Sequence, residues 1–353
     1  MPPMRCSRKS LSVALTALLT APALAAGPFT VLESFGPVTV SALDQSDKSW
    51  LLLGGAVWKQ DDDNFRRLVN TGASPDFLTG PERIFLASAE GPKLTELKPV
   101  FDQVGYRVSK PTAIRLPGSP RLVMLYQREA NRLAEACRQR GEELRFCTSY
   151  LDKREIGAAT SDDEGRTWAN PKIVVDAKNS GDGTAPGAPG AVLVGEEIWV
   201  YYVSSSRSFM KENLFRVRLA EGDLHRLGGP DPVRITGFTP GTSLDNVQLV
   251  LLHCEGKDKF VATMVANNRQ RNAITFYAST DGLSFKPSAE ASIVPPSGHD
   301  LAAPTQLPGD ASADECRALQ TSGVQTRRDL MYAEQLTAAT WALRRLDVRL
   351  TLP

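Results

Sequence analysis

A strand that runs into an acidic, glycine-bearing turn recurs along this chain, and recurrence at roughly sixty to seventy residues dictates an array of similar units. Two copies are complete, IGAATSDDEGRTW at 156–168 and ITFYASTDGLSF at 274–285, and two are eroded, IFLASAEGPKL at 84–94 and FRVRLAEGDL at 215–224. Each reads as a hairpin: an Asp bonds the amides of its own turn, Gly supplies the positive φ, and a trailing aromatic covers the sheet edge. A second repeat leads each unit, with a turn or Pro, a short strand, a tight turn and a stronger apolar strand. It occurs at Lys110-Pro111, at Ala188-Pro189, at Asp245 and at Ala303-Pro304, and the opening stretch VTVSALDQSDKSWLLLGG from Val38 makes the fifth.

Helical periodicity is scarce, while 27 Gly and 24 Pro punctuate short runs of Val, Ile, Leu, Tyr and Trp, the pattern of many short strands. Runs such as RLVMLY at 121–126 and IWVYYV at 198–203 are apolar without alternation and suit strands covered on both faces. Five units, each long enough for four strands, predict an all-β chain folded as a five-bladed β-propeller of four-stranded antiparallel blades. The expected units are 37–105, 106–180, 181–238, 239–297 and 298–353, with Gly27 to Ser34 pairing with the last to close the ring. A β-sandwich is the alternative the pattern leaves open.

Arg5, Arg8 and Lys9 precede an apolar run from Leu11 to Leu24, and Ala23-Leu24-Ala25 offers a cleavage site, so residues 1–25 read as a secretory signal and 26–353 as a single domain. The run falls short of the ~20 apolar residues a membrane span needs, so no span is expected after cleavage and the chain is expected to be periplasmic or secreted. Losing three of 41 basic residues against 40 acidic ones turns a formal charge of +1 into −2, which argues against a nucleic-acid partner. Cys6 leaves with the signal, and Cys137, Cys147, Cys254 and Cys316 remain; export permits disulfides. Cys137 and Cys147 flank one polar segment and can clip a loop, which leaves Cys254 with Cys316, although sequence alone does not set connectivity.

Ser161-Asp162-Asp163-Glu164-Gly165-Arg166-Thr167-Trp168 fits S-x-D-x-G-x-T-W and resembles the Asp box of sialidases and related propellers. Ser279-Thr280-Asp281-Gly282-Leu283-Ser284-Phe285 is similar to the shorter form common in five-bladed glycoside hydrolases. That resemblance implies a structural role on the side of the ring away from the active centre. The unit count and Pro-led first strands make nearly all of the mature chain resemble the family 43 and family 32 glycoside hydrolases. Ser297-Gly298-His299 is similar to the P-G-H that places a central His in family 43, near a bound cation, so the resemblance implies a Ca2+ option in the central channel but no required cofactor. Such hydrolases need two carboxylates facing across the bond. Here Lys110 stands where the second unit should present Asp, and Ala185-Pro186-Gly187-Ala188-Pro189 where the third should present Glu before the Pro. The expected general acid is absent from its place.

Loops leaving each second strand and entering each first strand should meet at one end. Asp245 and Asp300 beside first strands, with Glu129 or Glu334, are the candidate catalytic carboxylates, a non-standard set. Lys110, Arg128, Arg207, Asn246, Asn268, Arg269, His299 and Glu334 are candidate ligand contacts. His299, or Asp61 and Asp63 in an acidic run, are candidate cation ligands. Arg recurring at second-strand ends offers planar forks for carboxylate or sulfate, which favours an acidic sugar; the three-Arg set of a sialidase is not placed. The long loops from Trp58 to Pro81 and from Ala130 to Lys153 suit a binding rim. The expected partner is an oligo- or polysaccharide, bound and in one reading hydrolysed. A non-catalytic module in exopolysaccharide export or modification is the alternative, and a protein partner is left open.

Overall fold

The computed structural model describes residues 28–33, 39–43, 50–55, 83–90, 93–104, 106–130, 154–182, 185–205, 212–236, 243–254, 257–268, 271–293, 301–307, 324–337 and 340–352. Twenty strands and no helix occur among them. They pair as successive four-strand meanders. The first comprises β2 (Thr39–Ala42), β3 (Trp50–Gly55), β4 (Arg83–Glu90) and β5 (Lys93–Phe101); the second β6 (Tyr106–Arg115), β7 (Leu122–Ala130), β8 (Arg154–Ser161) and β9 (Ala169–Val175). The third comprises β10 (Ala185–Val194), β11 (Glu197–Ser205), β12 (Glu212–Ala220) and β13 (Arg226–Ile235); the fourth β14 (Ser243–Cys254), β15 (Lys257–Asn268), β16 (Arg271–Ser279) and β17 (Ser284–Ile293). Last come β18 (Leu301–Leu307), β19 (Val324–Thr337) and β20 (Thr340–Leu352), completed by β1 (Pro28–Glu33), which lies antiparallel to β20.

The third and fourth meanders are joined into one eight-stranded sheet. Their link is a short parallel pairing of Arg234–Ile235 with Ser284–Phe285, in which Arg234 N donates to Leu283 O at 2.7 Å and Thr236 N to Phe285 O at 2.8 Å. The repeat pattern gave no sign of this link, since it predicts only neighbours within a unit.

Burial on both faces explains the unbroken apolar runs. Along β7, Leu122, Met124 and Tyr126 pack with Leu52, Ile84, Leu86 and Phe101 of the first meander, while Val123 and Leu125 pack with Ile198, Val200 and Tyr202 of the third. Along β11, Val200 and Tyr202 face the second meander, while Tyr201 and Val203 face Val247, Leu249 and Phe285 of the fourth. Alternate side chains of one strand thus serve two different interfaces. Each fully buried Leu, Val or Phe contributes about 1.5–3 kcal/mol. The buried phenols find acceptors: Tyr201 OH donates to Gly282 O and Tyr202 OH to Ser180 O, both at 2.8 Å.

First strands touch in cyclic order, β2 with β6, β6 with β10, β10 with β14, β14 with β18, and β18 with β2. That cycle excludes the two-layer sandwich. Near the axis, Thr112 Oγ1 donates to Pro189 O at 2.7 Å and accepts from Gln248 Nε2 at 2.8 Å, and Ala113 N donates to Ser41 Oγ at 3.1 Å. The approach of β10 to β14 is so close that a Cβ on Gly190 would lie 1.7 Å from Val247 O.

The two complete acidic turns share one hydrogen-bond scheme. Ser161 Oγ donates to Asp163 Oδ1 at 2.8 Å and accepts from Gly165 N at 2.9 Å, and Asp163 also accepts from Thr167 N at 2.9 Å and Thr167 Oγ1 at 2.6 Å. Ser279 Oγ donates to Asp281 Oδ1 at 2.9 Å and accepts from Gly282 N at 2.9 Å, and Asp281 accepts from Leu283 N and Ser284 N at 2.8 and 2.7 Å.

Candidate functional site

Four first strands carry the same irregularity. One extra residue enters β6 between Ser109 and Thr112, β10 between Gly187 and Gly190, β14 between Asp245 and Gln248, and β18 between Ala302 and Thr305. Such bulges bend a strand, re-aim its side chains and cluster near active sites. Lys110, Ala188, Asn246 and Ala303 take the first bulged place in their strands. Lys110 and Ala188 both have positive φ, 52° and 51°, a conformation that costs an L-residue about 1–2 kcal/mol. The two residues that replace the expected acids therefore hold equivalent places in the backbone.

Strand register fixes which end of the ring this is. Glu129 pairs with Arg107 on β6 and with Arg154 on β8, whereas Leu122, at the far end of β7, pairs with Ser161. The turn that follows Ser161 thus lies about 23 Å from Glu129, seven residue steps of roughly 3.3 Å.

Adjacent residues at the end of β7 point to opposite faces. Arg128 faces the first meander: its Nε donates to Glu155 Oε2 at 2.6 Å, its Nη1 to Gln103 Oε1 at 3.2 Å, and its guanidinium lies 4.2 Å from the Tyr106 ring centroid. Gln103 in turn donates to Tyr126 OH at 2.9 Å, and burial pushes that phenol up to about 12. Glu129 faces the third meander and is 7% exposed. It accepts from Gln127 Nε2 at 2.8 Å and lies 3.7 Å from Arg107 Nη1 and 3.9 Å from Arg154 Nε. Gln127 Oε1 accepts from Ala188 N at 2.9 Å, tying this cluster to the bulge of β10. Glu334, 4% exposed, accepts a charged hydrogen bond from Arg344 Nε. Both described candidate carboxylates are therefore engaged by arginine.

Lys110 is half-buried in its bulge. Asp245 and Asn246 lie in β14 and Asn268 at the end of β15; the side chains of these three, like that of Cys254, are outside the described set. Residues 1–25, Asp61, Asp63, Cys137, Cys147, Arg207, Arg269, His299, Asp300 and Cys316 lie outside the described residues altogether. Among the described residues no three His, Cys, Asp or Glu side chains converge as a metal site, and no helix is long and apolar enough to cross a membrane.

Gln127 and Arg154 were missed by the sequence reading, which considered only the ends of second strands and the entries to first strands. Arg154 opens a third strand, and Gln127 sits inside β7 rather than after it. No sequence signal marks either residue, because the pairing of Glu129 with Arg154 depends on strand register.

No family model matches the sequence, and no curated protein matches it. Solved structures do resemble the fold. An endo-arabinase from Bacteroides thetaiotaomicron superposes with a TM-score of 0.53 at 10% identity, covering 92% of this chain and 96% of that one. An alpha-L-arabinofuranosidase from Lactobacillus brevis gives a TM-score of 0.56 at 9% identity, covering 91% and 92%. An N-acetylgalactosamine deacetylase from F. plautii, solved with blood group B trisaccharide, gives 0.55 at 10% identity over 89% and 90%. These likenesses show the fold alone, a β-propeller of the kind that glycoside hydrolases share.

Proposed function

We propose that this chain is an exported five-bladed β-propeller that binds an acidic glycan at the bulge-bearing end of its ring. The observation that carries the reading is the repeated bulge, which brings Lys110, Ala188 and Asn246 to one end of contacting first strands. Fold likeness to an arabinase and an arabinofuranosidase supports a sugar as the ligand class by analogy. The deacetylase supports the same ligand class with a different reaction. Residues 1–25 serve as the export signal, the two acidic turns as Asp boxes, and a Cys137–Cys147 bridge as a clip on one rim loop.

Binding without hydrolysis is the better supported version, which fits a module in exopolysaccharide export or modification. Hydrolysis needs two carboxylates facing across the bond. Lys110 and Ala188 stand where two acids would, and Glu129 and Glu334 are engaged by Arg107, Arg154 and Arg344. A hydrolytic version runs through Asp245 and Asp300. The test is calorimetric titration of the purified chain with neutral and acidic oligosaccharides, alongside an assay of released reducing ends. Binding with no release is expected; release that is lost in Asp245→Asn would establish the hydrolytic version, and binding of no sugar would refute the reading.

A further inference from the structure

We propose that Val104 and Tyr106, at the bulge-bearing end of the ring, form a stacking platform for one sugar ring of the ligand, and that Arg128 sets the pose of the tyrosine. This rests on the glycan reading, and it names the surface that meets the flat face of a sugar rather than its acid group.

Tyr106 opens β6 and pairs with Ala130, one step beyond the pairing of Arg107 with Glu129. Residues two apart on a strand share a face, so Tyr106 follows Val108, and Val108 pairs with Arg128. That register sets the ring beside the guanidinium, which lies 4.2 Å from its centroid, within reach of a cation–π contact. Arg128 is fixed in turn: its Nε donates to Glu155 Oε2 at 2.6 Å, its Nη1 to Gln103 Oε1 at 3.2 Å, and Gln103 Nε2 donates to Tyr126 OH at 2.9 Å. The backbone of the same glutamine holds the tyrosine, since Tyr106 N donates to Gln103 O at 3.0 Å. Tyr106 is thus held by its amide and by one face of its ring, contacts that a phenylalanine would keep.

Val104 stands in the turn just before this strand and is 99% exposed, at a kind of place usually given to Gly, Asn, Asp or Ser. Tyr106 is half-buried, and with one face against Arg128 it shows solvent the remainder of its ring. Next to them Arg83 and Asp102 form an ion pair at 3.7 Å that is open to solvent. A small apolar spot bordered by exposed charge matches a sugar, whose C–H faces are apolar and whose hydroxyls stand at the edge. A protein partner fits poorly, because a stable interface buries roughly 800 Å² on each side, far more than one valine and part of a tyrosine. Lys110 lies four residues further along β6, within about 13 Å at roughly 3.3 Å per residue, so one oligosaccharide can cross the bulges and reach the platform.

Titrations of the full chain with an oligogalacturonate and a neutral xylo-oligosaccharide test this. Tyr106→Ala should weaken binding of both sugars by the same factor, about tenfold, because a stacked face carries no charge. Tyr106→Phe should bind both as wild type does, and should lose the tyrosine difference absorbance that the ligand induces in wild type. Val104→Ser changes a side chain that folding leaves in solvent; it should weaken both sugars about threefold, and it covers the case in which Tyr106→Ala fails to fold. Wild-type affinity in folded Tyr106→Ala and Val104→Ser would overturn the platform and leave the glycan reading standing. Equal weakening in Tyr106→Phe and Tyr106→Ala would also overturn it, since a hydroxyl contact and not stacking would then be at work. Binding of neither sugar by wild type would remove the glycan reading and the platform together.

Discussion

Ala188 is an alanine held at φ 51°, where a β-carbon crowds the following carbonyl. Its amide is fixed by Gln127 Oε1, so the bulge is held from the neighbouring meander rather than by its own preference. Ala188→Gly keeps that amide and removes the crowding, and it should raise unfolding free energy by about 1 kcal/mol after the entropy cost of glycine. A urea midpoint lower than wild type would contradict the account. Ala188 and Lys110 were legible because a proline follows each and marks the place. Glu129 and Arg128 were not separable in the same way, since one residue of parity decides which meander a strand side chain faces and the sequence carries no register. Their neighbours along the chain are the same; their partners in space, Arg154 and Glu155, are consecutive residues on opposite faces of β8.

At the scale of the element, the acidic turns tie stability to pH. Burial pushes the Asp163 carboxyl up, but bonds from the Thr167 hydroxyl and amide and from Ser161 outweigh it and hold the carboxyl below its ordinary value. Asp281 behaves alike: burial raises it, and the amides of Leu283 and Ser284 with Ser279 bring it below the ordinary range. A carboxyl depressed in the folded state stabilises above its unfolded pKa of about 3.9 and loses that contribution as pH falls through the folded value. Thermal melts should therefore be flat around neutral pH and drop below about pH 4. Asp163→Ala should cost about 1–2 kcal/mol at pH 7 and shrink that acid limb, because the lost bonds are the titrating ones. An acid limb as steep as wild type in Asp163→Ala with Asp281→Ala would assign the effect elsewhere. These turns were legible because every bond they need is local, within seven residues. The eroded copy at 215–224 keeps the hairpin and one acidic cap: Leu224 N donates to Ala220 O at 3.0 Å, His225 N donates to Asp223 Oδ1 at 3.1 Å, and Leu224, not a Gly, takes the positive φ, at 58°.

For the whole molecule, the spacing of repeats was enough to place strands within the expected intervals and to pair Pro28–Glu33 with the last meander. What spacing cannot carry is the fit at the axis, because that depends on side chains from units more than a hundred residues apart. Gln248 reaches Thr112 across 136 positions, and neither residue stands out in sequence. Gly190 is the sharpest case. Its missing Cβ would stand 1.7 Å from Val247 O and 2.7 Å from Val247 C, main-chain atoms that have no rotamer with which to yield. Gly190→Ala must therefore push β10 away from β14. Because Pro189 is the acceptor of Thr112 and Gln248 its donor, that displacement pulls at the bonds linking three first strands at once. The substitution should cost about 3 kcal/mol or more, the upper range for overpacking. Gly222→Ala provides the control, since a Cβ there meets nothing within 4 Å and the change should stay within about 0.5 kcal/mol. Thermal melts of the two variants decide the matter: a large drop for the first alone marks the axis as the tightest contact in the ring, while equal melting of both would mean that β10 and β14 do not meet this closely in solution.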